Sequence, residues 1–207
     1  LDVLDAHGEM PLPPYITERL ADPDRYQTVY ARQPGSAAAP TAGLHFTPEL
    51  LEALTGRGIA QAKVELVVGL DTFRPIGTDD PLDHRMHTER YRVPEATLAA
   101  IERTRAAGGR IVAVGTTTVR ALESAAARGE LEGRTDIFIH RHPDGTGYDW
   151  KMVDLLMTNF HLPRTTLLMM IDAFVGDRWR SLYDTALHER YRFLSFGDAM
   201  LLDRHAV

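Results

Sequence analysis

The segment 85–89 holds an imidazole and a carboxylate at a spacing that suits proton transfer. His87 and Glu89 are two residues apart, so on a strand they would share one face. A His–Glu pair on one face can move a proton to or from a substrate. The spacing matches neither the HExxH helix nor another familiar zinc pattern, and we therefore expect no metal there. His87 and Glu89 are the first catalytic candidates.

The segment 115–120, Gly-Thr-Thr-Thr-Val-Arg, suits the binding of an anion. It follows the apolar run 110–114 and precedes a helix that we expect to begin near Val119. A helix N-terminus presents free N–H groups and a partial positive charge, and the hydroxyls and the guanidinium add donors. The candidates for binding phosphate or carboxylate are Gly115, Thr116, Thr117 and Arg120. The alternative is that Thr116 only caps the helix.

The stretch 33–47 is rich in small residues, which allow a ligand to approach the backbone closely. His45 lies near its end, just before a helix for which Thr47 is the expected N-cap and Pro48 the first residue. His45 is a second catalytic candidate, and a structural histidine is the alternative. Thr41, Gly43 and Phe46 are the substrate-binding candidates in this stretch.

The segment 158–166 packs an amide, an imidazole, a guanidinium and hydroxyls into nine residues before an apolar helix. Such polar density next to a buried helix is costly unless the groups are satisfied or functional. His161 is a third catalytic candidate, and Asn159, Phe160 and Arg164 are candidates for binding substrate.

Aromatic and polar residues alternate across 191–200, which predicts a strand leading into a turn. The substrate-binding candidates here are Tyr191, Arg192 and Asp198. Asp198 follows Gly197, where it could cap the turn or bind an amine or a ribose hydroxyl. A core strand is the alternative interpretation.

The composition limits the function classes that these segments can serve. The chain has 207 residues, of which 44% are hydrophobic and 25% charged, a balance typical of globular proteins and not of disorder or collagen. Cysteine is absent, so disulfides, thiolate nucleophiles and Cys-based metal sites are excluded. A net charge of −6 disfavours a generic basic nucleic-acid binder but leaves a local basic face possible.

Helices and strands alternate along most of the chain. The expected strands are 26–31, 62–69, 90–93, 110–114, 137–140 and 154–159, and the expected helices are 48–56, 94–107, 119–128, 167–175 and 182–189. The order of helix, strand, turn and helix over 94–128 is typical of an α/β layer. We therefore expect a mixed α/β domain over 26–207, preceded by a Pro-rich lead-in over 1–25.

Taken in order, these segments resemble one family. The chain is similar to the S-adenosylmethionine:tRNA ribosyltransferase-isomerases of queuosine biosynthesis, from about Pro11 to Leu202. The segments that carry the resemblance are PLPPYI (11–16), YQTVYA (26–31), AAPTAGLHFT (38–47), TFRP (72–75), MHTE (86–89), VGTTTVRALES (114–124), TNFHLP (158–163) and YRFLSFGDAM (191–200). Val67 and Asp71 stand where the family usually carries His and Gly, and the loop 140–150 is longer than usual.

The resemblance implies an unusual use of S-adenosylmethionine, as a ribosyl donor and co-substrate. The family transfers and isomerises the ribosyl unit onto 7-aminomethyl-7-deazaguanine at the tRNA wobble position, giving epoxyqueuosine, adenine and methionine. The reaction begins with removal of a proton from the 5′ carbon beside the sulfonium. His45, His87 or His161 would be the base, with Glu89 orienting it, and the turn 115–120 would hold the methionine carboxylate or a tRNA phosphate.

The resemblance also implies that this chain is the main α/β domain of a two-domain enzyme whose β-barrel portion is largely absent. The expected partners are S-adenosylmethionine and tRNA, with no metal and no membrane, in a cytoplasmic monomer. Some of seven arginines should face tRNA phosphates: Arg85, Arg90, Arg92, Arg178, Arg180, Arg190 and Arg192. The alternative is a divergent enzyme that uses S-adenosylmethionine on a small-molecule acceptor.

Overall fold

The computed structural model describes residues 12–32, 35–69 and 80–205. Within them the protein is a mixed α/β domain, as the sequence predicts. The helices are α1 (Pro48–Gly56), α2 (Glu95–Ala106), α3 (Thr116–Arg128), α4 (Thr166–Val175) and α5 (Arg178–His188). The strands are β1 (Glu65–Val67), β2 (Glu89–Arg92), β3 (Val112–Val114), β4 (Glu132–Thr135), β5 (Leu155–Asn159) and β6 (Ala199–Asp203).

The strands form two three-stranded sheets. The first has the order β1-β2-β4 and is antiparallel, with Glu89 opposite Thr135. The second has the order β3-β5-β6, in which β3 and β5 run parallel and β6 runs antiparallel to β5. Helix α3 contacts strands of both sheets, and Val119 and Leu122 on this helix are buried in the main core. Because α3 packs on both sheets, the residues of its first turns lie near both.

The buried carboxylate of Glu123 holds in place the chain segment that leads into β5. Glu123 on α3 is fully buried, and its two oxygens accept hydrogen bonds from the backbone N–H groups of residues 151, 152 and 153 at 2.9–3.1 Å. A buried carboxylate is tolerable when several donors satisfy it. Glu123 therefore stabilises the segment that leads into β5, and this role has no simple sequence signature.

Several predicted elements are confirmed. Helix α1 begins at Pro48 and Thr47 caps it, accepting from the N–H of Leu50 at 3.2 Å. Helix α3 ends at Arg128, and its C-cap Gly129 adopts a left-handed conformation with φ of 70°. Strands β2 and β5 and helices α2 and α4 lie within two residues of their predicted bounds.

Other predictions are wrong. No strand forms over 26–31: a 3-10 turn covers Pro23–Tyr26, and the N–H of Ala31 bonds back to the carbonyl of Thr28. The strand predicted at 137–140 lies instead at 132–135, because pairing with β2 selects that polar segment while Ile139 is buried without joining a sheet. The segment 191–198 is irregular, and β6 begins at Ala199. The predicted loop 71–86 falls partly outside the described residues, as do residues 1–11 of the lead-in.

Two helices begin earlier than predicted. Helix α3 begins at Thr116 instead of Val119, so the three threonines form its first turn and one of them, Thr118, donates to the carbonyl of Val114 at 2.7 Å. Helix α5 begins at Arg178 instead of Leu182, because the polar start of this segment hides its helical character. The earlier start of α3 matters for the site, since its free N–H groups belong to the threonines themselves.

Candidate functional site

Glu89 joins His87 and Arg120 in a buried cluster between the first sheet and α3. His87 Nε2 lies 2.7 Å from Glu89 Oε1, and Arg120 Nη1 donates to Glu89 Oε2. The side chains of Glu89 and Arg120 are 1% and 7% exposed, whereas that of His87 is 18% exposed. The Glu89–Arg120 ion pair is thus shielded from solvent, whereas the side chain of His87 is partly exposed.

The hydrogen bonds of this cluster assign the tautomer of neutral His87. A carboxylate only accepts hydrogen bonds, so Nε2 must carry the proton that it donates to Glu89. The lone pair of Nδ1 is then free to accept a proton from a substrate. This arrangement is that of a base oriented by a carboxylate, with Arg120 holding the carboxylate in place.

Arg120 is under-satisfied for a buried guanidinium. Its Nε and Nη2 atoms have no hydrogen-bond partner among the described residues. Burial lowers the pKa of Arg120, and the charge of Glu89 opposes that shift. Because unpaired buried donors are costly, the ion pair with Glu89 is the main compensation that the described residues provide.

A second network surrounds Asn159 at the end of β5. The Thr41 hydroxyl and Asn159 Oδ1 are 3.1 Å apart, and Asn159 Nδ2 and His45 Nε2 are also 3.1 Å apart. Since the amide nitrogen can only donate, neutral His45 accepts at Nε2 and carries its proton on Nδ1. The 3-10 turn Thr41–His45 contacts β5, and these side chains fasten the two together.

The same edge of the second sheet brings other predicted residues near this network. Parallel strands β3 and β5 both end there, and the N–H of Gly115 donates to the carbonyl of Met157 at 2.8 Å. A Cβ on Gly115 would lie 3.7 Å from that of Ala42, so the start of α3 approaches the turn that carries His45. Gly115 has φ of 87°, a conformation that favours glycine.

Asp198 belongs to this edge as well. It precedes Ala199, which pairs with Asn159 in the sheet. Asp198 Oδ2 accepts from the N–H of Arg192 at 2.7 Å, and this bond is the largest cause of the lowered pKa of Asp198, to which the charge of His45 also contributes. The carboxylate thus caps the 192–198 turn and faces the His45 side of the site.

His161 is half-buried and lies in a different setting. Its Nε2 lies 2.9 Å from the Thr158 hydroxyl, and its backbone N–H donates to the Tyr183 hydroxyl at 2.9 Å. Burial lowers the pKa of His161 to about 4, so its imidazole is neutral at pH 7. Tyr183 was not foreseen, because nothing in the pattern of α5 distinguishes it from a core tyrosine.

The remaining candidates have separate surroundings. The hydroxyl of Tyr30 occupies the space where a Cβ on Gly43 would lie, so that glycine admits a neighbouring side chain. Phe160 packs in an aromatic cluster whose ring centroids are 5.1–5.7 Å away, formed by Tyr183, Tyr191 and Phe193. Phe46 is half-buried, and Arg164 lines a groove with Trp179 and Arg180. Asp71 lies outside the described residues.

Two features of the described residues bear on partners. They contain no group of three or more His, Asp or Glu side chains placed to hold a metal ion. None of their helices has the length and apolarity that crossing a bilayer requires.

The fold and the site together define an α/β domain with a carboxylate-oriented histidine and an anion-suited helix start. Residues 1–202 match the family described as queuosine biosynthesis protein, and the chain belongs to that family. It is 55% identical over its whole length to the S-adenosylmethionine:tRNA ribosyltransferase-isomerase of Acaryochloris marina, of which it covers 56%. It is 54% identical to the corresponding enzyme of an Azoarcus strain, of which it covers 61%.

A solved structure supports the same assignment. The crystal structure of an S-adenosylmethionine tRNA ribosyltransferase from Thermotoga maritima is 48% identical, with a TM-score of 0.63 over 77% of this chain and 50% of that one. The chain therefore spans about half of that structure and 56–61% of the two curated relatives.

Proposed function

We propose that this chain carries the chemistry by which the ribosyl unit of S-adenosylmethionine is transferred and isomerised onto 7-aminomethyl-7-deazaguanine in tRNA. The products would be epoxyqueuosine, adenine and methionine. One observation carries the assignment of the residues: Glu89 holds His87 at 2.7 Å, the side chain of His87 is partly exposed, and no described residue hydrogen-bonds to its Nδ1.

His87 is the proposed base among the three histidine candidates. His45 Nε2 already accepts from Asn159, and burial lowers the pKa of His161 to about 4, which makes its imidazole a weak base. The sulfonium acidifies the neighbouring 5′ carbon, so an imidazole is strong enough to remove its proton. Glu89 would stabilise the imidazolium that forms, and Arg120 would keep that carboxylate oriented.

The edge of the second sheet is the proposed binding region for the rest of the co-substrate. The free N–H groups and hydroxyls of Thr116 and Thr117 suit the methionine carboxylate. Asp198 is suited to a ribose hydroxyl or to the substrate amine, and the Thr41–Asn159–His45 network would orient the turn beside it. After proton removal, adenine leaves, the aminomethyl nitrogen attacks, and methionine departs as the epoxide closes.

The test measures adenine and methionine release from S-adenosylmethionine with precursor tRNA present or absent. His87→Gln should lower the rate by about a hundredfold or more, the usual contribution of a general base. His188→Gln is the matched control, because His188 is an exposed histidine at the end of α5. Near-normal turnover of His87→Gln would show that His87 is not the base. His45 or His161 would then be the candidate.

The same assay separates the candidate reactions. Adenine release that requires tRNA supports the tRNA-modifying reaction, whereas equal release without tRNA indicates a small-molecule acceptor. Formation of S-adenosylhomocysteine would mean methyl transfer and would overturn both. We also propose that residues 26–207 act as the main domain, without a metal, as a cytoplasmic monomer. Light scattering and activity in the presence of a chelator test the monomer and the metal independence.

A further inference from the structure

A groove of about 290 Å³ is lined by residues of α4 and α5, by the segment 140–141 and by Pro81. Its walls combine flat or apolar side chains with cations. Trp179, Leu168 and Met169 supply apolar surface, while Arg141, Arg164 and Arg180 supply guanidinium groups. This volume is near the lower end of the range for small-molecule pockets. The groove is open to solvent at the molecular surface.

The charge of the groove is opposite to that of the whole chain. The chain carries −6 overall, yet three arginines converge here. Two carboxylates partly balance them: Arg141 Nη1 lies 3.2 Å from Asp177 and 3.7 Å from Asp172, and Arg180 Nη1 lies 2.9 Å from Asp177. Among the described residues, no ion pair or hydrogen bond involves the guanidinium of Arg164, so within that part of the chain its charge is not neutralised.

A row of rings continues from the groove along the neighbouring extended segment. Phe138 and His140 have ring centroids 4.7 Å apart, and His142 lies 5.9 Å beyond His140. These residues are two apart, which puts their side chains on one side of the extended chain. His84 adds a fourth ring, 6.3 Å from Phe138. Inside the groove, Arg180 stacks on Trp179 with its guanidinium carbon 4.7 Å from the ring centroid.

Partly exposed rings interleaved with arginines are a surface that suits unpaired nucleotides. Every base has a π-face that stacks on aromatic or guanidinium planes, and the backbone phosphates pair with arginine. We propose that the groove and the row of rings bind unpaired nucleotides of an RNA loop, with bases on the rings and on the Arg180 guanidinium and phosphates on Arg164. This inference rests on the proposed function, because it assumes an RNA acceptor.

The chain path places this surface beside the candidate site. Arg164 lies three residues after His161, so their Cα atoms are at most about 11 Å apart. RNA held on the groove would therefore lie close to the end of β5, where the Asn159 network is found. An acidic peptide is the other occupant that the cations would suit, but it would make no use of the row of rings.

The experiment measures how the 207-residue chain binds a fluorescent RNA stem–loop and a fully paired RNA duplex of equal length, by anisotropy. The variants are Arg180→Gln, which removes the cation stacked on Trp179, and His140→Ala, which interrupts the row of rings. Arg103→Gln is the matched control, because Arg103 is an exposed arginine on α2. Urea unfolding and S-adenosylmethionine affinity are measured for each variant.

We expect both groove variants to weaken stem–loop binding by about fivefold to a hundredfold, the range for losing one base-stacking contact, and Arg103→Gln to have little effect. Duplex binding, urea midpoint and S-adenosylmethionine affinity should stay near wild type. Losses no greater than that of Arg103→Gln, or equal losses for the duplex, would overturn the inference. If the wild-type chain binds no RNA, both the proposed function and the groove assignment fail. If the wild-type chain modifies tRNA and the variants bind RNA normally, only the groove assignment fails.

Discussion

Arg120 donates a hydrogen bond to Glu89 in the protein interior, where the two side chains are only 7% and 1% exposed. The pair lies between the first sheet and α3. The free-energy cost of removing one of its partners therefore differs from that for a surface ion pair. Removing one partner of a buried pair leaves the other charge uncompensated, whereas removing an exposed partner costs little. Glu89 therefore has two tasks, because it neutralises Arg120 and orients His87.

Glu89→Gln should consequently lower the free energy of unfolding by about 3–5 kcal/mol, since Arg120 would remain charged without a counterion. Urea unfolding at pH 7 measures the change. Glu65→Gln is the control, because Glu65 pairs with Arg92 on the outer face of the same sheet, where both side chains are about half exposed. That change should cost less than about 1 kcal/mol. Similar losses for the two variants would show that burial does not set the strength of the Glu89–Arg120 pair.

His161 should make the stability depend on pH in a defined window. Its pKa is about 4 when folded and about 6.5 in an unfolded chain, so between these values only the unfolded chain binds the proton. Stability is then full above about pH 6.5, falls as the pH falls, and has lost roughly 3 kcal/mol by pH 4.

The measurement is urea unfolding of wild type and His161→Gln at pH 7 and at pH 4. Carboxylates such as Asp198, whose pKa is lowered, also lose stability in acid, but they do so in both proteins. The difference between the two proteins therefore isolates His161, and the variant should show the shallower dependence. Parallel pH profiles would mean that His161 is not desolvated in the folded state.

Residue patterns predicted the local contacts of the site better than its long-range ones. His87 and Glu89 are two apart and were predicted to share one face, and their side chains do meet, although His87 precedes β2, which begins at Glu89. That Arg120 would meet Glu89, 31 positions away, depends on α3 packing on both sheets, which no local pattern encodes. The Thr41–Asn159 bond, across 118 positions, depends likewise on tertiary packing.

Secondary structure shows the same division. A local signal predicted the helix end that it marks: Thr47-Pro48 predicted the start of α1, and Gly129 predicted the end of α3 but not its start. Strand β4 was missed because its residues, Glu-Gly-Arg-Thr, have little intrinsic strand preference. Pairing with β2 overrides that preference, while the apolar segment after it packs in the core without a partner strand.

Gly197 should tolerate no side chain, although its backbone is not in the left-handed region. A Cβ there would collide with the carbonyl oxygens of Arg192 and Phe193, which are backbone atoms that cannot rotate away. Gly197→Ala should therefore open the turn in which Asp198 bonds to the backbone of Arg192 at 2.7 Å. We expect a loss of more than about 2 kcal/mol in urea unfolding.

The control is Gly147→Ala, since a Cβ on that exposed glycine would meet no atom within 4 Å. It should change stability by less than about 0.5 kcal/mol. If the turn also positions Asp198 for substrate, Gly197→Ala should weaken S-adenosylmethionine binding more than its effect on folding explains. Equal stability of the two alanine variants would contradict the collision.

Arg90 and Arg134 face each other directly across β2 and β4, and both are exposed. Like charges opposite one another in an antiparallel pair are destabilising, while opposite charges contribute roughly 0.2–1 kcal/mol. Arg134→Glu should therefore raise the free energy of unfolding by up to about 1 kcal/mol at low salt, and the gain should shrink as salt screens the charges. Urea unfolding at low and high ionic strength measures both effects.

Arg128→Glu provides the opposite control, because Arg128 Nη2 pairs with Asp136 at 3.1 Å and reversal of its charge creates repulsion. A loss of stability in Arg134→Glu would mean that the Arg90–Arg134 repulsion is offset by other contacts of Arg134.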